Sequence, residues 1–184
     1  MRCLCLLALT LTACATAPRD SPYPLVYLTN RAQFGLLPPS ALEKTLDMPQ
    51  QIAGTYRNQE FLMETWVLAD TRGVHIALFS SFGASLGELS FTESEIRFDS
   101  GVFPAEVKSE YIVADFQLCF YQPELLTQAL KTCGLTLAVR REGRTEVRTI
   151  YEKRKIIAEI EKKPEMIRYT NRFREYEYIL RGDF

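Results

Sequence analysis

Histidine is almost absent from this chain, since His75 is the only one among 184 residues. It lies in Gly73-Val74-His75-Ile76-Ala77, where alternation predicts a strand. The stretch Gly83-Ala84-Ser85-Leu86-Gly87 has the spacing of a G-x-S-x-G nucleophile elbow, but that motif needs a strand-to-helix turn and a triad histidine. Cys119 and Cys133 have no histidine or further cysteine at ligand spacing. The sequence therefore predicts no enzyme, no metal and no cofactor, with an acyl thioesterase as the alternative.

A long hydrophobic run is also missing. The apolar stretch from Leu4 to Leu11 is too short for a membrane-spanning helix, which needs about 20 residues. With Arg2 before it and Thr12-Ala13 after it, the stretch has the three parts of a signal peptide, and Cys14 follows directly. We predict cleavage before Cys14 and acylation of this cysteine. A plain secretory signal with an incidental Cys14 is the alternative.

These features predict three segments: a lipoprotein signal peptide at 1–13, a lipidated N-terminus and tether at 14–33, and a folded domain at 34–184. The stretch from Ala15 to Pro24 is small, polar and proline-bearing, which is typical of a tether. Ala15, rather than an aspartate, follows the cysteine and permits export in enterobacterial-type sorting. The predicted location is the periplasmic face of the outer membrane, with membrane lipid as partner.

The sequence also lacks a concentrated basic stripe, so nucleic-acid binding is not expected. The charge is nevertheless uneven, because 13 of the 22 Lys+Arg but only 9 of the 23 Asp+Glu lie from residue 139 onward. This basic third could face phospholipid head groups or an acidic protein, or it could be a solvated face. Two cysteines, Cys119 and Cys133, remain after processing, and they are either bridged or separately buried thiols.

Alternating apolar residues and hairpin-length turns predict ten strands. They cover 51–57, 60–69, 73–80, 86–91, 95–99, 135–140, 145–151, 155–161, 166–170 and 174–180. Helical spacing predicts helices at 111–120 and 123–131, and Ser40 with Glu43 predicts a short helix at 41–46. The expected class is mainly β (α+β): a curved antiparallel sheet, or half β-barrel, of about ten strands, with a helical insert over its concave face.

The apolar inner face of such a sheet is either a filled core or a cavity for acyl chains, and both need the same residues. The candidate cavity residues are Trp66, Val74, Ile76, Leu78, Leu89, Phe91, Ile112 and Phe116. Trp66 lies in a mixed strand in which neither face is clearly polar, and packing as a lone tryptophan is the alternative for it.

Three segments resemble an uncharacterised family of bacterial lipoproteins, which are often encoded beside fatty-acid-synthase-like genes that make aryl polyene pigments. These segments are Phe103-Pro104-Ala105, Tyr111 to Leu118 and Pro123-Glu124-Leu125-Leu126. The order of tether, hairpinned strands, two helices and closing meander resembles the LolA/LolB class of periplasmic lipoprotein carriers. The resemblance covers roughly residues 35 to 180. It implies a half-barrel that holds acyl chains without a chemical step.

The same resemblance places Phe82, in Ser80-Ser81-Phe82-Gly83, at the position of a membrane-inserting loop. Packing of Phe82 onto the sheet rim is the alternative. The expected function is an anchored lipoprotein that binds lipid or acyl chains and delivers lipoprotein or lipid-like cargo, such as an aryl polyene, with a periplasmic carrier protein as partner. A non-catalytic scaffold that binds other envelope proteins is the second hypothesis.

Overall fold

The computed structural model describes residues 23–56, 59–103 and 107–184. The helices are a 3₁₀ helix (Pro39–Ala41), α1 (Ser109–Phe120) and α2 (Pro123–Thr132). The strands are β1 (Leu25–Tyr27), β2 (Gln33–Gly35), β3 (Leu46–Tyr56), β4 (Gln59–Asp70), β5 (Gly73–Phe79), β6 (Ser85–Thr92), β7 (Ile96–Asp99), β8 (Leu135–Glu142), β9 (Thr145–Glu152), β10 (Lys155–Lys163), β11 (Met166–Asn171) and β12 (Tyr176–Arg181). The mainly β class is confirmed, whereas the signal peptide and Cys14 lie outside the described residues.

Ten of the strands form one antiparallel sheet in the order β7-β6-β5-β4-β3-β12-β11-β10-β9-β8. Two meanders, β3 to β7 and β8 to β12, meet at the β3–β12 pair, where Ile52 faces Leu180. β7 and β8 stay at the two edges, so the sheet is curved but not closed into a barrel. The helical insert connects these two edge strands in the chain, as the sequence predicts.

The segment before the sheet differs from the sequence-based expectation. The predicted helix at 41–46 is wrong: a 3₁₀ helix ends at Ala41, and Leu46 already starts β3. Tertiary pairing explains this, because Leu42 forms a bridge with Tyr121 and the Glu43 amide donates to the Phe120 carbonyl oxygen (3.0 Å). Ahead of the predicted start of the domain at 34, Val26 is buried in the β1–β2 hairpin.

The inner face of the sheet is covered by this hairpin and by the helices. Tyr23 places its ring 4.9 Å from that of Phe91 on β6. The Gln117 side chain of α1 donates to the carbonyl oxygen of Leu37 (2.7 Å) and accepts from its amide (3.0 Å). The hairpin and α1 are therefore joined to each other as well as to the sheet. No helix among the described residues is long and apolar enough to cross a bilayer.

Arg148 on β9 fastens the helical insert to the sheet from a fully buried position. One Nη donates to the carbonyl oxygens of Leu118 (3.0 Å) and Tyr121 (2.8 Å) at the end of α1. The other Nη contacts Glu43 (2.9 Å), and Nε contacts Glu146 (2.7 Å). Because carbonyl groups at a helix end have no partner within the helix, this guanidinium satisfies them while its charge is paired.

Candidate functional site

The turns of the sheet gather at two ends, which differ in chemistry. One end, here the Phe82 rim, carries the β5–β6 turn (80–84), the β9–β10 turn (153–154), the β11–β12 turn (172–175) and residues 100–103 after β7. The opposite rim carries the turns at 71–72, 93–95, 143–144 and 164–165. Since neighbouring strands are antiparallel, alternate turns necessarily share an end.

Phe82 is the most exposed large hydrophobic side chain of the described residues, at 96% exposure. The turn that holds it is internally hydrogen-bonded: Ser80 Oγ accepts from the amides of Phe82 (3.3 Å) and Ala84 (3.1 Å), and the Gly83 amide donates to Ser80 O (2.9 Å). Gly83 adopts a φ of 79°, which glycine tolerates without strain. Phe82 thus points away from the sheet rather than packing onto its rim.

Most of the residues proposed for a cavity do come together on the inner face. Val74, Ile76, Leu78, Leu89, Phe91 and Phe116 are buried in one core cluster, and Ile112 is half-buried on α1. One depression in the described residues lies beside the β11–β12 turn, and another opens on the outer face. The six buried side chains are at most 8% exposed, so this part of the inner face is a packed core, which is the filled-core alternative left open by the sequence.

Trp66 does not line the inner face, so this part of the cavity prediction is wrong. Thr65, Val67 and Ala69 are the inward residues of β4, and strict alternation turns Trp66 outward, where it is 49% exposed. Its Nε1 donates to an Asp47 carboxylate oxygen (3.0 Å). Together with Leu62 and Leu68 it forms an apolar outer strip on β4, beside a depression of about 570 Å³.

The two described cysteines are separate free thiols. Cys119 is buried in α1, and burial raises the pKa of its thiol to about 12, which keeps it protonated. Cys133 follows α2, and its Sγ donates to the Leu130 carbonyl oxygen (3.1 Å). Neither thiol is placed as a nucleophile.

Ser85 and His75 lie apart in the structure. Ser85 begins β6 opposite Phe79, whereas His75 pairs with Ser90 farther along the same two strands. The stretch from Gly83 to Gly87 joins two strands, as predicted, and so does not form the strand-to-helix turn of a nucleophile elbow.

A buried polar cluster under α1 was missed by the sequence reasoning. Tyr176 Oη donates to Asp115 Oδ2 (2.6 Å), and the rings of Tyr169, Tyr176 and Tyr178 stack with centroids 5.0 to 6.5 Å apart. Burial raises the pKa of Asp115 to about 6, against the opposing effect of the tyrosine hydrogen bonds and Arg174. The alternating tyrosines of β11 and β12 are the signal in the sequence, but nothing there connects them with Asp115.

One family model matches residues 47–181, and its description is "Protein of unknown function (DUF3261)". The match starts in β3 and ends with the last residue of β12, so it covers nearly all of the ten-stranded sheet and both helices of the insert. Phe82, the outer strip and the Asp115 cluster all lie inside it. No curated protein matches the chain.

Proposed function

Because the chain belongs to the DUF3261 family of proteins of unknown function, we propose a role from its geometry. The protein is an outer-membrane lipoprotein, anchored through Cys14 on the periplasmic face, that binds lipid or acyl chains and helps to deliver lipoprotein or lipid-like cargo. An aryl polyene is one such cargo. The role is non-enzymatic.

The observation that carries this proposal is the exposure of Phe82. A phenylalanine that is 96% exposed gains about 1.5–3 kcal/mol when it moves from water into an apolar environment. Val102, 60% exposed, lies on the same rim, beside the start of β6, where Ser100 Oγ donates to the Leu86 carbonyl oxygen. Apolar side chains displayed together on one rim are suited to contact with a bilayer surface.

The packed core defines how an acyl chain would enter. Since the inner face is filled, cargo has to displace part of the cover formed by the β1–β2 hairpin and α1. The polar contacts that hold the hairpin segment include Tyr23 Oη to Thr92 O (2.7 Å), Thr29 Oγ1 to a Glu152 carboxylate oxygen (2.9 Å) and an Arg174 Nη to Tyr27 O (2.6 Å). A displaceable cover over an apolar face would protect the core when no cargo is bound.

Delivery of a fluorescent diacylated peptide to phospholipid vesicles tests the proposal. We expect Phe82→Ser to slow delivery by about tenfold or more, because a polar side chain loses the transfer free energy of the aromatic ring. Phe82→Leu should retain most of the activity. Leu68→Ser is the matched control, since Leu68 is also exposed but lies on the outer face of β4.

Circular dichroism establishes that each variant is folded. Equal delivery by wild-type protein and Phe82→Ser would remove the observation on which the proposal depends. Loss of delivery in Leu68→Ser alone would instead favour the second candidate, a scaffold that binds another envelope protein. That candidate is supported by the outer strip of Leu62, Trp66 and Leu68, whose half-exposed apolar side chains have the chemistry of a protein contact.

A further inference from the structure

We propose that Arg31, Lys153, Arg154 and Lys155 form a second membrane contact on the Phe82 rim, which binds the anionic head groups of a phospholipid bilayer. The inference rests on the proposed membrane role of Phe82 and deepens it by naming the class of lipid. It depends on two features: a shared rim, and consecutive positive charges that form no ion pair among the described residues.

The register of the sheet places this basic cluster and Phe82 at the same end. Phe79, which precedes the Phe82 turn, pairs with Glu64 of β4. From the starting end of β4, the register leads across the sheet to the starting end of β10. The strand pairs that show this are Tyr176–Tyr56, Asn171–Tyr176 and Ala158–Asn171. The β9–β10 turn therefore lies on the Phe82 rim. Six strand spacings of about 4.8 Å separate the two turns along the sheet, or roughly 29 Å.

Arg31 joins the cluster through a contact between two turns. Thr29 Oγ1 donates to a Glu152 carboxylate oxygen (2.9 Å) and accepts from the amide of Ala32 (3.0 Å), which fixes the β1–β2 turn against the β9–β10 turn. Glu152, the acidic residue adjoining Lys153, uses one carboxylate oxygen for this contact.

The positive charges of the cluster are free to bind an external anion. Arg31, Lys153, Arg154 and Lys155 are all exposed, and within the described parts of the chain none of their side chains takes part in an ion pair. Lys153, with a φ of 58°, and Arg154 form the tight turn, and Lys155 is the first residue of β10. Such a bend presents adjacent cations to one surface.

The opposite rim is mixed in charge, since exposed Arg72, Arg144 and Arg181 lie there beside acidic residues. Its turns and strand ends carry exposed acidic residues, namely Glu93, Glu95, Glu142, Glu165 and Asp183. An anionic bilayer is therefore attracted most strongly to the three consecutive unpaired cations of the β9–β10 turn. Apolar and basic side chains on one rim match the apolar and anionic layers of a membrane surface, and this combination favours a bilayer over a soluble acidic partner.

Vesicle sedimentation tests this assignment with the mature chain in which Cys14→Ser removes the anchor. The probes are phosphatidylcholine vesicles with and without phosphatidylglycerol. We expect the triple variant Lys153→Ser, Arg154→Ser, Lys155→Ser to bind the anionic vesicles at least about tenfold more weakly at low salt. Binding to neutral vesicles should not change, and added salt should abolish the preference of the unsubstituted protein for anionic vesicles.

The matched control is Arg72→Ser, Arg144→Ser, Arg181→Ser, which removes the same charge from exposed residues of the opposite rim. Equal losses in the two triple variants would show an effect of net charge alone and would overturn the assignment, as would unchanged binding of the first variant. Phe82→Ser separates this inference from the proposed function, because it should weaken binding to both kinds of vesicle. Normal binding by Phe82→Ser with loss in the basic triple variant would contradict only the role of Phe82.

Discussion

At the scale of single residues, the inner face of the sheet contains two polar clusters of different character. Arg148 is paired with Glu43 and Glu146 and bonded to two carbonyl groups, so its charge is compensated in place. Among the described residues Asp115 forms no ion pair, and its partners are tyrosine hydroxyls and the more distant Arg174. A carboxylate in these surroundings is costly to ionise, and the difference predicts a dependence of stability on pH.

The Asp115 carboxyl should make the protein more stable at mildly acidic than at neutral pH. The folded protein keeps this proton up to about pH 6, whereas the unfolded chain releases it near the ordinary aspartate pKa of 3.8. The folded state therefore binds more protons in this window, and the free energy of unfolding falls as the pH rises through it. A shift of about two pKa units corresponds to roughly 3 kcal/mol at most. Tyr169, Tyr176, Tyr178 and Cys119 stay neutral throughout, because burial raises their pKa values.

Urea unfolding of wild-type protein and Asp115→Asn between pH 4 and pH 7.5 measures this effect. The difference in unfolding free energy between the two should change across the window in favour of the variant at neutral pH. Asp70→Asn is the control of opposite sign, since hydrogen bonds from Arg72 lower the pKa of Asp70. A difference between wild type and Asp115→Asn that stays constant with pH would contradict the expected titration.

At the scale of elements, the positions of the ten sheet strands and both α-helices follow from the sequence, because alternation and turn residues recur over segments of four or more residues. β1 and β2 cannot be predicted in this way, because strands of three residues are too short to show a period. The outward orientation of Trp66 could not be predicted, because neither face of β4 is clearly polar from Leu62 to Leu68. The Arg148 cluster was not predictable either, since Glu43 lies 105 residues away in the chain and contact at that distance leaves no local pattern.

The β3–β12 pair is the element contact on which the sheet depends most, because it is where the two meanders hydrogen-bond. Gly54 lies in this seam, and a Cβ there would come within 2.5 Å of the Glu177 carbonyl oxygen and 2.7 Å of Tyr178 Cβ. Gly54→Ala should therefore force the two strands apart and destabilise the protein by about 1–3 kcal/mol. Gly101→Ala is the control, since a Cβ at Gly101 meets nothing within 4 Å. Equal unfolding midpoints for the two variants in urea would disprove the close packing of this seam.

At the scale of the whole molecule, the chain that leads to the proposed anchor meets the domain at the opposite rim and not at the Phe82 rim. Tyr23, the first described residue, bonds to Thr92 at the last position of β6, which lies on the opposite rim. The Phe82 turn lies just beyond the first position of β6. Seven strand steps from Ser85 to Thr92 span about 24 Å. A chain that is anchored by lipid and touches the same bilayer with Phe82 must therefore cover a comparable distance outside the domain.

The chain between Cys14 and Tyr23 is barely long enough to do so. Its nine peptide steps, from position 14 to position 23, reach at most roughly 30 Å. Deletion of residues 16–19 leaves five steps and about 17 Å, which is too short for the anchor and Phe82 to enter one bilayer. We expect a tryptophan introduced by Phe82→Trp, in a Trp66→Phe background, to be quenched by brominated lipid in vesicles that carry the acylated protein. The deletion should abolish this quenching, whereas an insertion of four Gly or Ser residues at the same place should preserve it. Quenching that survives the deletion would mean that the domain does not stand on the Phe82 rim when its anchor is in the membrane.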